Sequence, residues 1–250
     1  MARAIQVIGI EGLPEVRPGD DLVALLLDAL AAEGLALEEG DIVVLTQKIV
    51  SKAEGRLIAL AEVEPSAFAR TVAEQTGRDP RLTEVILREA RRIVRMDRQV
   101  LVVETRQGLV CANAGVDRSN VGEGRVALLP QDPDASARAI REEIKRRMGI
   151  EVAVLITDTF GRPWREGLTE VAIGVAGLAP LKDYRGHRDR FGLPLHATLV
   201  AVADELACAA GLVMEKLAGI PAAIIRGYAY EPQEGTAAAL VRPPERDLFR

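Results

Sequence analysis

The sequence predicts a mixed α/β fold, because segments with strand-like and helix-like patterns alternate along the chain. Short apolar, β-branched runs such as residues 4–10 and 41–47 predict buried strands. Longer segments with apolar residues at helical spacing, such as residues 22–34, follow such runs. No repeat or flexible linker interrupts the alternation, so the 250 residues are expected to form one large domain or two small ones.

The first strand leads through a turn into a helix, which has Asp20 or Asp21 as its N-cap and Gly34 at its C-terminal end. The second strand ends in polar Thr46 and Gln47. The later predicted elements are helices over 65–76, 81–94, 133–149 and 198–219, strands over 99–105, 108–115 and 220–230, and a strand that opens at Val154. The polar tail 241–250 is expected to be loosely held.

Composition argues against nucleic acid and membranes as partners. The formal net charge is -5, the lysines and arginines are scattered and 3% of residues are aromatic, so neither a basic face nor a base-stacking platform is expected. No apolar run approaches the roughly 20 residues that span a bilayer, and the N-terminus lacks the pattern of a signal peptide. We therefore expect a cytoplasmic protein.

The cysteines and histidines do not suggest a metal centre or a nucleophile. Cys111 and Cys208 each have apolar neighbours, which predicts two reduced core thiols rather than a disulfide. With only two histidines besides, a structural zinc site is disfavoured. His187 is expected in a solvated loop and His196 in strand packing, so neither is assigned a catalytic role.

Polar segments follow four of the predicted strands, and we expect each of them to be a loop. Open α/β sheets bind ligands beyond the carboxyl ends of their strands, so chemistry distributed over such loops is plausible. Each segment alone is equally compatible with ordinary turn material. The spacings of the P-loop and of the dinucleotide fingerprint are absent, which disfavours a Rossmann dehydrogenase. The four segments are residues 11–21, 46–55, 113–124 and 157–167.

The residue types in these segments suit a metal–nucleotide complex. Asp117 and Asp158 are hard oxygen donors and Thr159 adds a hydroxyl group. A magnesium ion that keeps several waters needs only one or two carboxylates besides phosphate oxygens. Lys52 follows a predicted strand closely enough to meet a phosphate as a point charge.

A resemblance to a known family rests on motifs that follow one another in order along nearly the whole chain. They are GLPEVRPGDDL, VVLTQKIVSKAEGR, NAGVDRSNV, ITDTFGRPWREG, AIGVAGL and GIPAAIIRG. In this combination the sequence resembles the coenzyme F420-0:γ-glutamyl ligase family, including the ligase domain of the two-domain mycobacterial-type enzymes. The blocks KAEGR, NAGVDRSN and TDTFGR are the most distinctive.

The resemblance implies a GTP-dependent ligase that attaches L-glutamate to F420-0 and then extends a γ-linked tail on the glutamylated forms. It implies a divalent metal, Mg²⁺ or Mn²⁺, with K⁺ as a further candidate. The implied fold is a family-specific α+β arrangement of two interlocked lobes over residues 1–250, in an intertwined homodimer. No flavin is expected, because the chain ends before the place of the mycobacterial flavin domain.

The resemblance also assigns roles to individual residues. It makes Asp117 and Asp158 catalytic metal ligands together with Thr159, and we add Arg162 as a catalytic residue because it lies beside the metal residues in sequence. The implied GTP contacts are Leu13, Pro14, Glu15, Val16, Thr46, Gln47, Lys52 and Asn120.

Structural alternatives stay open for most of these residues. Leu13 and Pro14 could only pack a turn, and Thr46 and Gln47 could only end a strand. Asn120 could form a turn and Lys52 could be an exposed surface lysine. For Asp117 and Asp158 the alternative is a helix cap or a structural ion pair.

The sequence departs from the family after the last long helix. Lys216 stands about where a glutamate would bind a second metal ion, and Glu215 is one position away. Glu215 could bind that ion, Lys216 could face the phosphates directly, or the second metal site could be weaker. Glu215 could also be part of a solvated helix face.

The implied chemistry is transfer of the GTP γ-phosphoryl group to the acceptor carboxylate, which gives an acyl phosphate that the glutamate amine attacks. The anionic substrates call for cations, for which Arg162, Arg165 and the basic segment 182–192 are candidates. Trp164 could stack on a flat ring or pack in the core. The rival functions are a noncatalytic GTP- or F420-binding module and an amide ligase acting on another polycarboxylate acceptor.

Overall fold

A computed structural model describes residues 4–97 and 100–247 of the chain. The strands are β1 (Gln6–Ile10), β2 (Ile42–Thr46), β3 (Leu57–Ala59), β4 (Ala90–Asp97), β5 (Val100–Thr105), β6 (Val110–Ala112), β7 (Arg125–Ala127), β8 (Ala153–Arg162), β9 (Arg165–Ala176), β10 (Lys182–Asp183), β11 (Leu199–Val200) and β12 (Ala222–Arg226). The α-helices are α1 (Leu22–Ala32), α2 (Gln47–Ala53), α3 (Ala67–Thr76), α4 (Pro80–Glu89), α5 (Pro133–Met148) and α6 (Val202–Met214).

A central sheet runs in the order β1-β12-β2-β8-β9. Only β2 and β8 are parallel neighbours among the described strands of this sheet, and the other pairs are antiparallel. Strand β2 is buried on both faces, because Val43 and Leu45 pack into one core while Ile42 and Val44 pack into another. The apolar run that predicted this strand is thus explained by layers of side chains on both faces of the sheet.

Helices cover the two faces of the central sheet. On one face Leu26 and Leu30 of α1 pack with Ile140 and Ile144 of α5. On the other face α6 contributes the small buried residues Ala203, Ala207 and Ala210, which allow the helix to lie close to the sheet. None of the described helices combines the length and low polarity needed to cross a membrane.

A third hydrophobic core lies within the segment between α2 and α5. Strands β4, β5 and β6 form one small sheet, and β3 pairs with β7 in another. Helices α3 and α4 pack on them through residues that include Val72, Val85 and Ile86, together with Leu101 and Val126 of the strands. Mixed sheets beside helices confirm the α+β class. Interlocking of two lobes and their boundaries stay a prediction.

Several predicted boundaries are confirmed. Asp21 is the N-cap of α1, where its Oδ1 accepts from the Ala24 amide at 3.0 Å. Gly34 follows the end of that helix with left-handed backbone, φ 69°. Helix α5 starts after the cap Asp132 and ends at Gly149, which also has left-handed backbone, as its sequence predicts.

Other predictions were wrong. The helix predicted over 81–94 ends at Glu89, because the chain continues as β4 in a hairpin with β5. The helix predicted over 198–219 is limited to α6, whose next residue, Glu215, has φ 43°. Most of the predicted loop 46–55 is helix α2, Gln47–Ala53, and residues 157–167 belong to the β8–β9 hairpin.

Two side-chain predictions also need correction. Cys208 is exposed on α6, whereas Cys111 is buried as predicted, and both are free thiols. His196 is exposed at a bend rather than packed in a strand, and His187 is exposed as expected. Three predictions lie partly outside the described residues: the N-terminus at residues 1–3, the 99–105 strand at Gln99 and the polar tail at residues 248–250.

We predict that Gly174→Ala destabilises the protein. A Cβ at this position of β9 would lie 2.4 Å from the carbonyl oxygen of Pro133 at the start of α5, and backbone cannot yield as a flexible side chain does. Overpacking of this kind costs about 1–3 kcal/mol. Urea denaturation should therefore show a lower midpoint for the variant.

Gly161→Ala is the matched control in the same hairpin. A Cβ there meets Leu168 at an ordinary 3.7 Å, so its free energy of unfolding should stay within about 0.5 kcal/mol of wild type. Equal stability of the two variants would contradict the tight contact between α5 and β9.

Candidate functional site

The candidate site lies where the parallel pairing of β2 with β8 ends. Thr46 of β2 pairs with Thr157 of β8, so the next residues, Gln47 and Asp158, emerge at the same edge. Helix α2 begins there with Gln47, whose buried side chain accepts from the hydroxyl of Ser51 at 2.8 Å. The end of this pairing therefore brings residues from distant parts of the chain together at one edge of the central sheet.

Helix α2 carries two lysines, Lys48 and Lys52, on one face, because residues four apart are neighbours on a helix. The Lys48 ammonium group donates to Ser119 Oγ at 2.6 Å and lies 2.7 Å from Asp117 Oδ2. These contacts hold the 113–124 segment against α2.

The Asp117 side chain is held as a carboxylate at this place. Its backbone exchanges two hydrogen bonds with Ala127, at 3.0 and 2.8 Å, and its Oδ1 accepts from the Ser119 amide at 2.7 Å. Burial raises the pKa of Asp117, but the hydrogen bonds from Lys48 and Ser119 outweigh burial, so the pKa lies below its usual value. Asp117 is therefore a charged oxygen donor at neutral pH.

Lys52 is buried, with a side chain that is only 6% exposed. Its ammonium group donates to Glu15 Oε1 at 2.5 Å, and Glu15 is itself 73% exposed on the 11–21 loop. The loop is also held by a hydrogen bond from the Gly19 amide to the Ala53 carbonyl, 2.8 Å long. The alternative that Lys52 is an exposed surface lysine was wrong, and a desolvated ammonium group favours an anionic neighbour.

Asp158 is the most perturbed carboxyl group of the site. Burial raises its pKa to about 7, although the amide of Thr159 opposes the change. The negative charges of Glu170 and Asp117 raise it further, while Lys216 lowers it. The thiol of Cys111 is also buried, and its burial together with the negative charge of Asp158 raises the pKa of Cys111 to about 12. Cys111 is therefore not a nucleophile at neutral pH.

Thr159 faces Glu170 across the hairpin, where the two residues are paired in register. The Thr159 hydroxyl donates to Glu170 Oε1 at 2.6 Å and accepts from the Lys216 ammonium group, which lies 3.4 Å from the same carboxylate oxygen. Helix α6 backs this arrangement, because Cys208 Sγ donates to the Glu170 carbonyl at 3.1 Å. Lys216 therefore supplies a positive charge where the sequence predicted a second metal ligand.

The oxygen donors fit a divalent cation. Within residues 4–97 and 100–247, no group of three or more His, Cys, Asp or Glu side chains is gathered as a closed metal cage would require. Mg²⁺ needs only one or two carboxylates when waters and phosphates supply its other ligands. The ionised form of Asp158 is destabilised by burial and by the charges of Glu170 and Asp117. A nearby cation would reduce this destabilisation. Asp117 and Asp158 thus suit such an ion, whereas the Thr159 hydroxyl is bound by Glu170 and Lys216, and its metal contact stays a prediction.

Among the described residues, the structure shows no ligand-directed contact for the others predicted to bind the nucleotide, and it gives only their burial and backbone conformation. In the 11–21 loop, Val16 is buried in the core and Leu13 packs against that core, whereas Pro14 is exposed. Asn120 is exposed with φ 55°, which agrees with a turn residue. Thr46 is partly buried at the end of β2. For each of them a ligand contact stays a prediction, as it does for exposed Glu215.

The hairpin carries the predicted cations. Partly buried Arg162 donates from Nη2 to the Glu166 carbonyl at 2.9 Å, while Arg165 is exposed. Trp164 is 85% exposed, so the alternative of a core tryptophan was wrong. The basic segment 182–192 follows the other end of β9, whose last residue, Ala176, pairs with Val154 rather than with Asp158.

Lys48 and Glu170 were missed by sequence reasoning. A signal for Lys48 was available, because its four-residue spacing from Lys52 places both on one face once residues 47–53 are recognised as a helix. Glu170 depends on the register of a hairpin that was interpreted as a loop, so no local pattern pointed to it.

Comparisons with known proteins agree with the geometry. The sequence profile of the F420-0:γ-glutamyl ligase family matches residues 11–227. The chain is 51% identical over 249 residues to the coenzyme F420:L-glutamate ligase of Methanothermobacter thermautotrophicus, a match that covers 98% of this chain and 99% of that protein. It is 51% identical to the protein of the same name from Methanopyrus kandleri, with 98% and 99% covered, and 43% identical to that of Methanocaldococcus jannaschii, with 99% and 98% covered.

We predict that Asp158→Asn gains stability relative to wild type as the pH rises. The folded-state pKa of about 7 exceeds the ordinary 3.8, so the wild-type fold loses stability between these two values as the carboxyl group ionises. Asparagine removes that loss. Without metal, the difference in unfolding free energy should grow, on the order of a few kcal/mol, between about pH 5 and about pH 8.

Asp183→Asn is the control for this pH dependence. Arg185 lowers the pKa of exposed Asp183 to about 2, so its titration is complete below about pH 5 and its difference from wild type should stay constant across the tested range. A constant difference for Asp158→Asn as well would contradict the burial of an ionised Asp158.

Proposed function

The chain belongs to the F420-0:γ-glutamyl ligase family, and on this premise we propose that it joins L-glutamate to coenzyme F420-0 and extends a γ-linked glutamate tail. GTP would be the phosphoryl donor and Mg²⁺ or Mn²⁺ the divalent cation, with K⁺ as a further candidate. A cytoplasmic homodimer is part of the proposal. The glutamylated forms of F420 would be both products and substrates.

The observation that carries the proposal is the meeting of two carboxylates and three ammonium groups at one sheet edge. Asp117 and Asp158 supply hard oxygen donors, and Lys48, Lys52 and Lys216 supply positive charge from two different elements. An anionic phosphate and an anionic carboxylate repel each other, so their approach requires such positive charge. The site is thus equipped to bring two anions together.

The proposed reaction has two steps. An oxygen of the acceptor carboxylate attacks the γ-phosphorus of GTP, the bond to the bridging oxygen breaks and GDP leaves. The neutral amine of glutamate then attacks the carbonyl carbon of the acyl phosphate, inorganic phosphate leaves and the nitrogen loses a proton. The second step forms the amide bond.

The chain's own residues position the reactants in this scheme. Lys52 holds a phosphate where Glu15 now accepts its hydrogen bond, and Lys48 keeps Asp117 in place. A divalent ion bound by Asp117, Asp158 and Thr159 would neutralise phosphate oxygens and polarise them. Arg165, exposed on the hairpin, is available to a substrate carboxylate or phosphodiester.

Mass spectrometry of F420-0 incubated with the protein, glutamate, GTP and Mg²⁺ or Mn²⁺ tests the proposal. We expect products heavier by one or more glutamyl residues, with GDP and phosphate formed in step. Asp158→Asn should abolish these products while the fold is retained, because asparagine keeps the shape but lacks the charge that holds the metal.

The rival functions give different outcomes in the same experiment. A noncatalytic module would bind GTP or F420-0 without consuming nucleotide. A ligase for another polycarboxylate acceptor would leave F420-0 unchanged and turn GTP over with that acceptor and glutamate. Near-normal glutamylation by Asp158→Asn at saturating Mg²⁺ would show that the metal assignment is wrong.

We predict that Lys52→Met weakens GTP binding. Methionine keeps much of the apolar stem in its buried position but deletes the charge. A lost hydrogen bond to a charged phosphate costs roughly 1.5 to 3 kcal/mol, so the affinity for GTP should fall about tenfold or more. Isothermal titration calorimetry with metal present measures the change.

Lys145→Met is the matched control, since Lys145 is an exposed residue of α5 that pairs with Glu151. It should bind GTP like wild type, and thermal melts should show both variants folded. Unchanged affinity for Lys52→Met would remove Lys52 from the nucleotide site.

A further inference from the structure

The β8–β9 hairpin extends beyond the rest of the central sheet. Strand β2 pairs with β8 only as far as Thr157, whereas β8 and β9 stay paired to Arg162 and Arg165. Residues 158–170 thus form a two-stranded arm that begins at Asp158, and we call it the hairpin arm. Cross-strand hydrogen bonding makes such an arm a firmer platform than a loop.

Trp164 stands in the turn at the tip of this arm. It is the only tryptophan of the 250-residue sequence, and its side chain is 85% exposed. Its φ is 65°, after Pro163, in the two-residue turn between the paired Arg162 and Arg165. Pro followed by a residue with positive φ is typical of a type II turn, where glycine is favoured. Trp164 therefore has a backbone conformation that is unfavourable for a non-glycine residue, and it also exposes a large apolar surface to water.

The tip also carries positive charge. Arg165 is exposed, and Arg162 is fixed to the Glu166 carbonyl at 2.9 Å. The Nε of Arg162 is buried and has no hydrogen-bond partner among the described residues. An exposed indole beside two guanidinium groups matches a flat heteroaromatic ring that carries an anionic tail.

We propose that the hairpin arm is the subsite for the acceptor, with its ring stacked on Trp164 and its reacting carboxylate beside Asp158. This inference rests on the proposed function, which makes the acceptor F420-0, a flat deazaflavin ring joined through a sugar-alcohol chain and a phosphodiester to a lactyl carboxylate.

The length of the arm matches the length of this acceptor. Strand residues rise about 3.3 Å each, so Asp158 and Arg162 are separated by roughly 13 Å along β8. About ten single bonds link the ring to the carboxylate, and an extended chain covers roughly 1.2 Å per bond, or about 12 Å. One acceptor molecule can therefore reach from the tip of the arm to the carboxylates at its base.

Tryptophan fluorescence tests the subsite, because Trp164 is the only tryptophan and excitation at the red edge of its absorption band avoids the three tyrosines. Titration of F420-0 without GTP or glutamate should quench this emission in a saturable manner, after correction against N-acetyltryptophanamide for absorbed light. Emission that does not respond to F420-0 would overturn the subsite. So would emission that changes only with protein concentration, which would show that a second copy of the chain covers Trp164.

Kinetics of three variants complete the test. Trp164→Ala should raise KM for F420-0 by about 5- to 100-fold, the effect of losing a base–aromatic stack, and leave KM for GTP unchanged. Trp164→Phe should recover most of the loss. Phe68→Ala, which removes an exposed aromatic side chain of α3, should match wild type.

The two proposals can fail separately. Saturable quenching without glutamylated product would support the subsite and overturn the proposed function. Glutamylation with unchanged KM for F420-0 in Trp164→Ala would support the function and overturn the subsite.

Discussion

The site depends on the parallel pairing of β2 with β8. This register places Thr46 opposite Thr157, so α2 begins after β2 at the same level at which β8 continues alone with β9 from Asp158. A slip of one residue would exchange the two faces of β2, each of which is packed into a different core. The same apolar side chains that stabilise the sheet therefore fix the relative positions of α2 and Asp158.

Charge neutralisation at this edge comes from two sides. Helix α2 directs Lys48 to Asp117 and Lys52 to Glu15, while Lys216 approaches Thr159 and Glu170 from the end of α6. A buried ammonium group and a carboxyl group with a raised pKa are both unfavourable when no ligand is bound. The binding of an oppositely charged partner removes this cost, which explains why such groups are retained here rather than replaced by apolar residues.

Local patterns in the sequence predicted local structure well. The cap at Asp21, the buried strand β2 and the helix α5 follow from residues close in sequence. The hairpin of β8 and β9 was not predicted, because its turn has tryptophan where glycine is usual and its polar strand ends resemble a loop. Glu170 could not be found without that hairpin, and β4 was taken as helix because the decisive contact is with β5.

The insertion of the third core between α2 and α5 has a consequence for folding. Lys48 and Ser119 are 71 positions apart, so their contact closes only after the segment between them has folded and docked on the sheet. Contacts of such sequence separation form late and slowly. Partial opening of the third core would release Asp117 while the central sheet stays intact. Docking of this segment on α2 therefore decides whether Asp117 is brought to Asp158, and competence for binding follows the stability of that docking rather than that of the whole chain.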